Sequence, residues 1–325
     1  MTQRVCYIEH EMLGELVVIR GGEIDPTELA SRSREALDAP LAADGVLTVA
    51  RVRSSACVLG AFQRASQIDA RAGELVVARG SGGPEVMVGA GTVWMHLALA
   101  HPGALVACDH ARIVNRYVRP LLRALTRSGA TAQWAGRDWI GVRARPAAWV
   151  GFAHDATSGR TAIEAFLAVR TPFARGERGS FRGKVPGTLE EIFSRTFESE
   201  DIEEAIVEAY RAIAPAPAPA PAPARAHAPA PATEIETAWS ATIEEAIGTI
   251  GAGVDREGAL RVGGDLLVSR DALAQLEARL RTAASADVAR VVAETLGAPG
   301  VALEGVRSLA SIVDVVLRAR DPLCS

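Results

Sequence analysis

The chain has 325 residues, of which 49% are hydrophobic and 23% are charged, and its formal net charge is −4. This length predicts roughly two domains, and the composition is ordinary for a soluble globular protein. The net charge gives no reason to expect nucleic acid or an anionic membrane as a partner.

The four cysteines are scattered and show no C-x-x-C spacing, which favours a reducing cytoplasm over a disulfide framework. The N-terminal residues include acidic side chains where a signal peptide would be apolar, and no run reaches the ~18 apolar residues of a membrane span. The six histidines never occur at metal-ligand spacing. We therefore expect a soluble, cytoplasmic protein without a structural metal.

The first part of the chain predicts more strands than helices. The apolar runs predict strands at Gly14–Arg20, Gly45–Val52, Ala130–Trp134, Trp139–Arg143, Ala147–Ala153 and Ala162–Val169. Helices are predicted from Pro26, capped by Asp25, over Asp109–Arg127, and over Ser199–Ile213, with Pro120 kinking the second or starting a new helix. Because most strands follow one another through short turns, the fold class is α/β (α+β), with a mainly antiparallel or mixed sheet flanked by helices.

Residues 214–232, APAPAPAPAPARAHAPAPA, predict a linker, because alternate residues lack an N–H group and have a fixed φ. The predicted domains are therefore residues 1–213 and 233–325. The second, smaller α/β domain is predicted to contain strands at Ile243–Ile250 and Ala259–Val262 and helices at Ser269–Leu280, Ser285–Leu296 and Leu303–Leu317.

The segment Val76–Gly91, VVARGSGGPEVMVGAG, predicts a strand, a glycine-rich loop and a second strand. Glycine lets backbone N–H groups approach a ligand, and successive N–H groups in a turn form an anion-binding nest. Arg79 beside that nest is suited to pair with a phosphate or carboxylate. The alternative interpretation is a tight hairpin whose arginine has no ligand.

Other candidate residues allow two interpretations each. Cys57 and Cys108 are either nucleophiles or, more commonly for cysteines in apolar runs, buried core residues. His154 and Asp155 resemble a base with its orienting partner, but adjacent strand residues point to opposite faces, which favours a turn. The turn at 136–138 either brings an arginine and a carboxylate to the site or lies at the surface.

The order of these motifs resembles that of lipoate–protein ligases and the related octanoyl and lipoyl transferases. Residues 78–83, ARGSGG, are similar to the family's R-R-x-S-G-G loop, and residues 136–138, GRD, are similar to its G-R-N-D turn. Residues 55–63, SACVLGAFQ, resemble the strand and turn before that loop. The C-terminal part resembles the accessory domain of long-form ligases.

This resemblance implies the fold of the biotin/lipoate ligase core and a site that binds ATP and lipoate, or an octanoyl or lipoyl adenylate. It also implies a small acyl substrate and, as partner, a lipoyl carrier domain whose lysine accepts the acyl group. The residues that match the substrate-binding motifs are Arg79, Ser81, Gly82, Gly83, Gly136, Arg137, Asp138 and Gly151.

The chain departs from the family pattern where charge is needed. The family's K-[IV]-[SA]-G turn reads AWVG here, with Ala148 in the lysine position, and Lys184 is the only lysine that remains as a rescuing charge. Glu85 adds a carboxylate next to the predicted anion site. Two hypotheses follow: a divergent ligase or transferase that attaches lipoate or octanoate to a carrier lysine, or a catalytically degenerate protein that binds an acyl group or a carrier domain without turnover. A biotin ligase is disfavoured because the G-R-G-R-x-G-R-x-W pattern is absent.

Overall fold

A computed structural model of the protein describes residues 14–68, 73–134, 138–175, 178–214 and 238–321. Apart from Ala214, the predicted linker lies outside the described residues, as do Gly136 and Arg137 of the predicted site.

The part before the linker is built on two sheets. Its ten described strands are β1 (Leu16–Ile24), β2 (Gly45–Val52), β3 (Ala56–Leu59), β4 (Val76–Ala78), β5 (Val86–Val88), β6 (Thr92–Leu99), β7 (Ala132–Trp134), β8 (Trp139–Val142), β9 (Arg145–His154) and β10 (Thr161–Ala168). The large sheet has the order β1-β2-β6-β10-β9-β8-β7, and the small sheet has the order β4-β3-β5. In the large sheet only β1 and β2 pair in parallel, so the predicted mixed, mainly antiparallel sheet is confirmed.

Helices flank this sheet as predicted. The helices described in this part are α1 (Pro26–Glu35), α2 (Ile113–Arg127), α3 (Leu189–Phe193) and α4 (Ser199–Arg211). The Asp25 side chain caps α1 by accepting from the amide of Thr27. Pro120 lies inside α2, so the prediction that a second helix starts there is wrong. Helices α2 and α4 pack together, and the Tyr210 hydroxyl donates to the carbonyl of Tyr117 at 2.5 Å.

The large sheet has one face toward α4 and another toward the small sheet. Arg51 on β2 lies on the α4 side, where its Nε is 3.5 Å from the Glu203 carboxylate. Arg51 pairs across strands with Val93, Val93 pairs with Leu167, and Leu167 pairs with Ala148. Because residues paired across strands share a face, all four side chains point toward the helices.

The part after the linker is smaller and has a hydrophobic cluster of its own. Its described elements are β11 (Ala241–Glu244), β12 (Thr249–Val254), β13 (Leu260–Gly264), β14 (Leu267–Val268), α5 (Arg270–Leu280), α6 (Val288–Leu296), β15 (Leu303–Glu304) and α7 (Leu309–Arg320). The single strand predicted over Ile243–Ile250 is wrong, because residues 245–248 form the turn of a hairpin between β11 and β12. The helix predicted from Leu303 begins at Leu309 instead, after a Ser308 cap.

The two parts contact each other beside the small sheet. The amide of Gly264 donates to the carbonyl of Phe62 at 2.7 Å, and Nη2 of Arg270 lies 2.8 Å from the Asp38 carboxylate. None of the helices in the described ranges is long and apolar enough to cross a bilayer.

Candidate functional site

The glycine-rich loop, residues 79–85, connects two strands that do not pair with each other. Strand β4 pairs in parallel with β3, and β5 pairs antiparallel with the other edge of β3. The predicted strand–loop–strand order is confirmed, and the alternative of a tight hairpin is wrong. The loop passes the end of β3 and lies over the large sheet.

Arg79 is enclosed by its own loop and is 1% exposed. Its Nη1 donates to the carbonyl of Val58 at 2.9 Å, and its Nη2 donates to the carbonyls of Gly82 and Pro84, both at 2.8 Å. Its Nε donates to the hydroxyl of Ser81 at 2.9 Å. These four bonds use donors that an anionic ligand would need, and they hold the loop closed.

Glu164 on β10 supplies the negative charge that faces Arg79. Its Oε2 lies 3.9 Å from Arg79 Nε, and neither side chain is more than 1% exposed. Trp94 Nε1 donates to Oε1 at 2.7 Å, while the hydroxyls of Ser33 and Ser81 donate to Oε2. Burial lowers the pKa of Arg79 to about 10, against the opposing effect of Glu164, so the guanidinium is charged at neutral pH. The pair is therefore a buried ion pair whose carboxylate is satisfied by additional hydrogen bonds.

The amides of two predicted ligand-binding glycines are bonded within the protein. Gly82 donates to the carbonyl of Phe152 on β9 at 3.2 Å, and Gly83 donates to the carbonyl of Leu266 at 2.8 Å. Leu266 belongs to the part after the linker, so the loop is held between the two parts. These amides do not form a vacant anion-binding nest.

Both glycines make room for other groups of the protein. A Cβ on Gly82 would lie 2.1 Å from the carbonyl oxygen of Leu266. Gly83 has a φ of +91°, and its Cβ would lie 2.7 Å from Cζ2 of Trp149. Closer approach than 3 Å is a clash, so the loop fits against the neighbouring backbone and the indole only with glycine at these positions.

Trp149, rather than Ala148, points toward the loop. The Arg79 guanidinium lies 4.0 Å from the centre of the Trp149 ring, and the indole also contacts Phe166 with 5.8 Å between ring centres. Because successive strand residues point to opposite faces, Ala148 points toward the helices. A Cβ on Gly151 would lie 2.1 Å from Cη2 of Trp149, so this glycine lets the indole lie along the strand.

The other predicted site residues lie apart from Arg79. Asp138 is buried before β8, where its carbonyl accepts from the amide of Val150 at 2.8 Å. The ammonium of Lys184 lies 5.9 Å from the Trp139 ring, in a pocket of about 190 Å³. The described lining of that pocket includes no residue of the glycine-rich loop, so the structure does not bring Lys184 to Arg79.

Asp265, which was not predicted from the sequence as a site residue, lies where the two parts meet. Gln63 Nε2 donates to Asp265 Oδ1 at 2.7 Å and to Glu85 Oε2 at 3.1 Å. Glu85 is also paired with Arg178 at 3.0 Å. Burial raises the pKa of Asp265 to about 7, and the negative charge of Glu85 adds to this effect. Residues 63 and 265 are too distant in sequence for a local pattern to reveal their contact.

Cys57, Cys108 and His154 have the features of core residues. Burial raises the pKa of Cys57 and of Cys108 to about 11, so both thiols are protonated at neutral pH. His154 Nδ1 lies 2.9 Å from the Thr161 hydroxyl, its Nε2 lies 3.2 Å from the carbonyl of Gly300, and burial lowers its pKa. Among the residues that the structure describes, no group of three histidine, cysteine or acidic side chains is arranged to hold a metal.

Glu164 and His96 lie beneath the loop, and neither was predicted from the sequence as a site residue. Each is the single ionisable side chain of its strand, TVWMHLAL for His96 and TAIEAFLA for Glu164. Because 164 pairs with 96 across β10 and β6, the two side chains share the face beneath the loop. His96 is 5% exposed, its ring stacks on Trp94 at 5.4 Å, and burial lowers its pKa. A polar residue in a buried strand was the signal available in the sequence.

Comparison with solved structures identifies the architecture. The structure of LipL1 from P. falciparum in complex with lipoate matches 94% of this chain and 99% of its own, with a TM-score of 0.58 and 12% sequence identity. This chain has the fold of a lipoate–protein ligase. The likeness extends over both parts of the chain, and at this identity it concerns the fold alone.

Two other solved structures match a smaller share of the chain. A bi-partite lipoate protein ligase from Thermoplasma acidophilum matches 62% of this chain and 84% of its own, with a TM-score of 0.49 and 13% identity. A biotin protein ligase from Aquifex aeolicus, in complex with biotin and ATP, matches 60% of this chain and 69% of its own, with a TM-score of 0.36 and 10% identity. No family model and no curated protein matches the sequence.

Proposed function

We propose that this lipoate-ligase-like protein docks a lipoyl carrier domain without transferring an acyl group to it. The observation that carries the proposal is the closed ion pair between Arg79 and Glu164. The motif resemblance implies that the acyl adenylate would bind at this loop. A carboxylate of the protein itself thus takes the counter-ion role that a bound anion would have.

The residues around the loop do not fit ATP or a lipoyl group. Four donors of Arg79 are bonded to its own loop and to strand β3, and the Gly83 amide is bonded to Leu266. The Trp149 indole is fully buried and lies against the Arg79 guanidinium, so an aromatic ring covers this side of the charge. Glu164 and Glu85 add negative charge, which disfavours a phosphate.

Two measurements on the full chain test the proposal. The chain is incubated with ATP, magnesium, lipoate or octanoate, and a purified lipoyl domain, and the intact mass of the lipoyl domain is recorded. We expect no gain in mass, together with retention of the lipoyl domain by the immobilised chain. An ATP-dependent gain in mass would overturn the absence of turnover, and failure to retain the domain would overturn the docking.

An active lipoate or octanoate ligase is the second candidate, and one contact favours it. Leu266, which covers the Gly83 amide, belongs to the part beyond the linker, so a displacement of that part would release the amide. An acyl mass on the carrier that is lost in Arg79→Met and kept in Lys184→Ala would establish this activity.

A matched pair of variants tests whether a missing amine limits turnover. Trp149→Lys introduces an amine on the loop side of β9, while Ala148→Lys introduces one on the helix side. Acyl transfer by Trp149→Lys but not by Ala148→Lys would show that the protein lacks only an amine beside the loop. Circular dichroism must show that both variants are folded, because a buried lysine is costly.

A further inference from the structure

Helix α2 carries a row of arginines along its exposed side. The row, called here the arginine stripe, consists of Arg112, which caps the helix, and Arg116, Arg119, Arg123 and Arg127. At about 100° per residue, these spacings of three and four place all five within an arc of about 80°. The opposite side of α2 is buried through Tyr117, Leu121 and Leu125.

Within the part of the chain that the structure describes, ion pairs do not balance the charge of the stripe. The sequence contains no aspartate or glutamate between Asp109 and Asp138. Within the described ranges, no carboxylate forms an ion pair with any arginine of the stripe. Its one side-chain hydrogen bond there runs from Arg119 to the side-chain oxygen of Asn115 at 3.1 Å.

Such an arrangement opposes helix stability. Like charges three or four residues apart repel each other, and cations near a helix N-terminus meet the positive end of its dipole. Other helices of this chain show the stabilising pattern, in which an arginine pairs with an acidic residue one turn away. The pairs are Arg32 with Glu28, Arg290 with Glu294, and Arg318 with Asp314. A general preference for arginine over lysine therefore does not explain the stripe.

We propose that the arginine stripe docks a row of carboxylates on a partner protein. The stripe extends over about 22 Å of helix, which matches a single helix or strand edge of a partner. At the C-terminal end of α2 the exposed Arg195 donates to the carbonyl of Ser128 at 3.0 Å and stacks on Phe197 at 4.4 Å, which continues the cationic surface. This inference does not depend on acyl transfer by the protein.

The overall charge favours an acidic protein over nucleic acid as the occupant. The whole chain has a net charge of −4 and a pI of about 5.9, whereas nucleic-acid-binding domains are usually basic overall. A membrane is disfavoured because the apolar side of α2 lies in the protein core and cannot insert among lipids.

The test measures binding of a defined acidic probe to the full chain by fluorescence anisotropy. The probe is a labelled 18-residue helical peptide of about 25 Å whose glutamates recur every three or four residues on one side. The variant Arg119→Gln/Arg123→Gln/Arg127→Gln removes three charges of the stripe, and glutamine preserves helix propensity. The matched control, Arg281→Gln/Arg290→Gln/Arg318→Gln, changes the net charge equally on exposed sites elsewhere.

We expect the stripe variant to raise the Kd of the peptide about tenfold, since three exposed ion pairs are each individually weak, and the control to leave it unchanged. Raising NaCl from 50 to 300 mM should weaken binding to the unaltered chain. Equal losses in both triple variants, or no peptide binding at 50 mM NaCl, would overturn the proposal. The proposal would also be overturned if the chain bound a 20-base-pair DNA duplex more tightly than the peptide and only the stripe variant lost this binding. The occupant of the stripe would then be nucleic acid.

Discussion

At the scale of single residues, Arg79 and Glu164 depend on each other. Each is enclosed by the protein, so removing one partner leaves the other charge buried without a counter-ion. Glu164→Gln preserves the shape of the side chain and removes only its charge. We expect it to lower the free energy of unfolding by about 3 kcal/mol or more, measured by urea denaturation.

A double-mutant cycle separates the pair from general damage to the core. Arg79→Met combined with Glu164→Gln should be less destabilising than the sum of the single changes, because neither charge remains unpaired. Arg318→Gln, which removes an exposed ion pair with Asp314, should cost less than about 1 kcal/mol. Additive effects of Arg79→Met and Glu164→Gln would show that the pair is not coupled.

Asp265 is expected to make stability depend on pH. Its pKa is raised to about 7 by burial and by Glu85, whereas an unfolded aspartate has a pKa of about 4. The folded protein therefore holds a proton that the unfolded chain releases. This contribution is complete below about pH 4 and is lost as the pH rises to about 7, by at most about 4 kcal/mol for three pKa units.

The variant Asp265→Asn tests this dependence, because asparagine is neutral at every pH. The groups that face the Asp265 carboxyl are the side chain of Gln63, the amide of Thr249, and the charges of Glu85 and Arg178. Unfolding in urea at a series of pH values should show a flatter profile between pH 4 and 7 for this variant. Asp314→Asn, at an exposed site, should retain the original profile. If the free energy of unfolding of Asp265→Asn fell with pH as steeply as that of the unaltered chain, Asp265 would not be the cause of the pH dependence.

At the scale of elements, the glycine-rich loop is fixed by close backbone approach. In Gly82→Ala the new Cβ would lie 2.1 Å from the carbonyl oxygen of Leu266, so the loop or the neighbouring segment must shift. We expect a loss of about 1–3 kcal/mol, as for other overpacked sites, seen as a lower melting temperature. Gly179→Ala is the control, because its Cβ would meet no atom within 4 Å, and it should stay within about 0.5 kcal/mol. A melting temperature of Gly82→Ala equal to that of the unaltered chain would show that the loop can shift at little cost in free energy.

Helices and strands whose ends are set by neighbouring residues in the sequence were predicted well. Strand β2 has the predicted bounds, because its apolar run is bordered by a glycine and by charged residues. Helix α7 was placed six residues too early, because the apolar residues from Leu303 fit a helical pattern. Leu303 pairs instead with Val268 of β14, and the Ser308 side chain caps the helix by accepting from the amide of Ala310. Pairing between distant strands leaves no local signal.

The site shows the same limit more strongly. The ARGSGG motif marked a loop that the structure forms between β4 and β5, and the lipoate-ligase fold that it implied is confirmed by the likeness to LipL1. The side chains around the loop depend on the register of β10 and β9, which places Glu164 and Trp149 beneath Arg79. Whether Arg79 and its neighbours contact a substrate remains a prediction.

At the scale of the whole molecule, the part after the linker is bound to the first part through its backbone. Gly264 donates to Phe62 and Gly83 donates to Leu266, so one short segment connects to two loops. Ile247, Leu267 and Ala302 of the second part also join the hydrophobic cluster of the first. Because polar and apolar contacts reinforce each other here, the two parts should unfold in one cooperative transition.

Asp271, at the start of α5, connects the two parts through three hydrogen bonds of one side chain. It accepts from the amide of Ala156 at 2.9 Å, and from the amide and hydroxyl of Thr157 at 2.9 and 2.7 Å, in the turn between β9 and β10. Asp271→Ala removes all three bonds and leaves two amides of the turn without this acceptor. We expect the single urea transition, followed by tryptophan fluorescence and by circular dichroism, to separate into two whose midpoints differ between the probes. Asp287→Ala, which removes only an exposed pair with Arg290, should keep coincident transitions. Coincidence of the two probes in Asp271→Ala would show that the remaining interface suffices to couple the two parts.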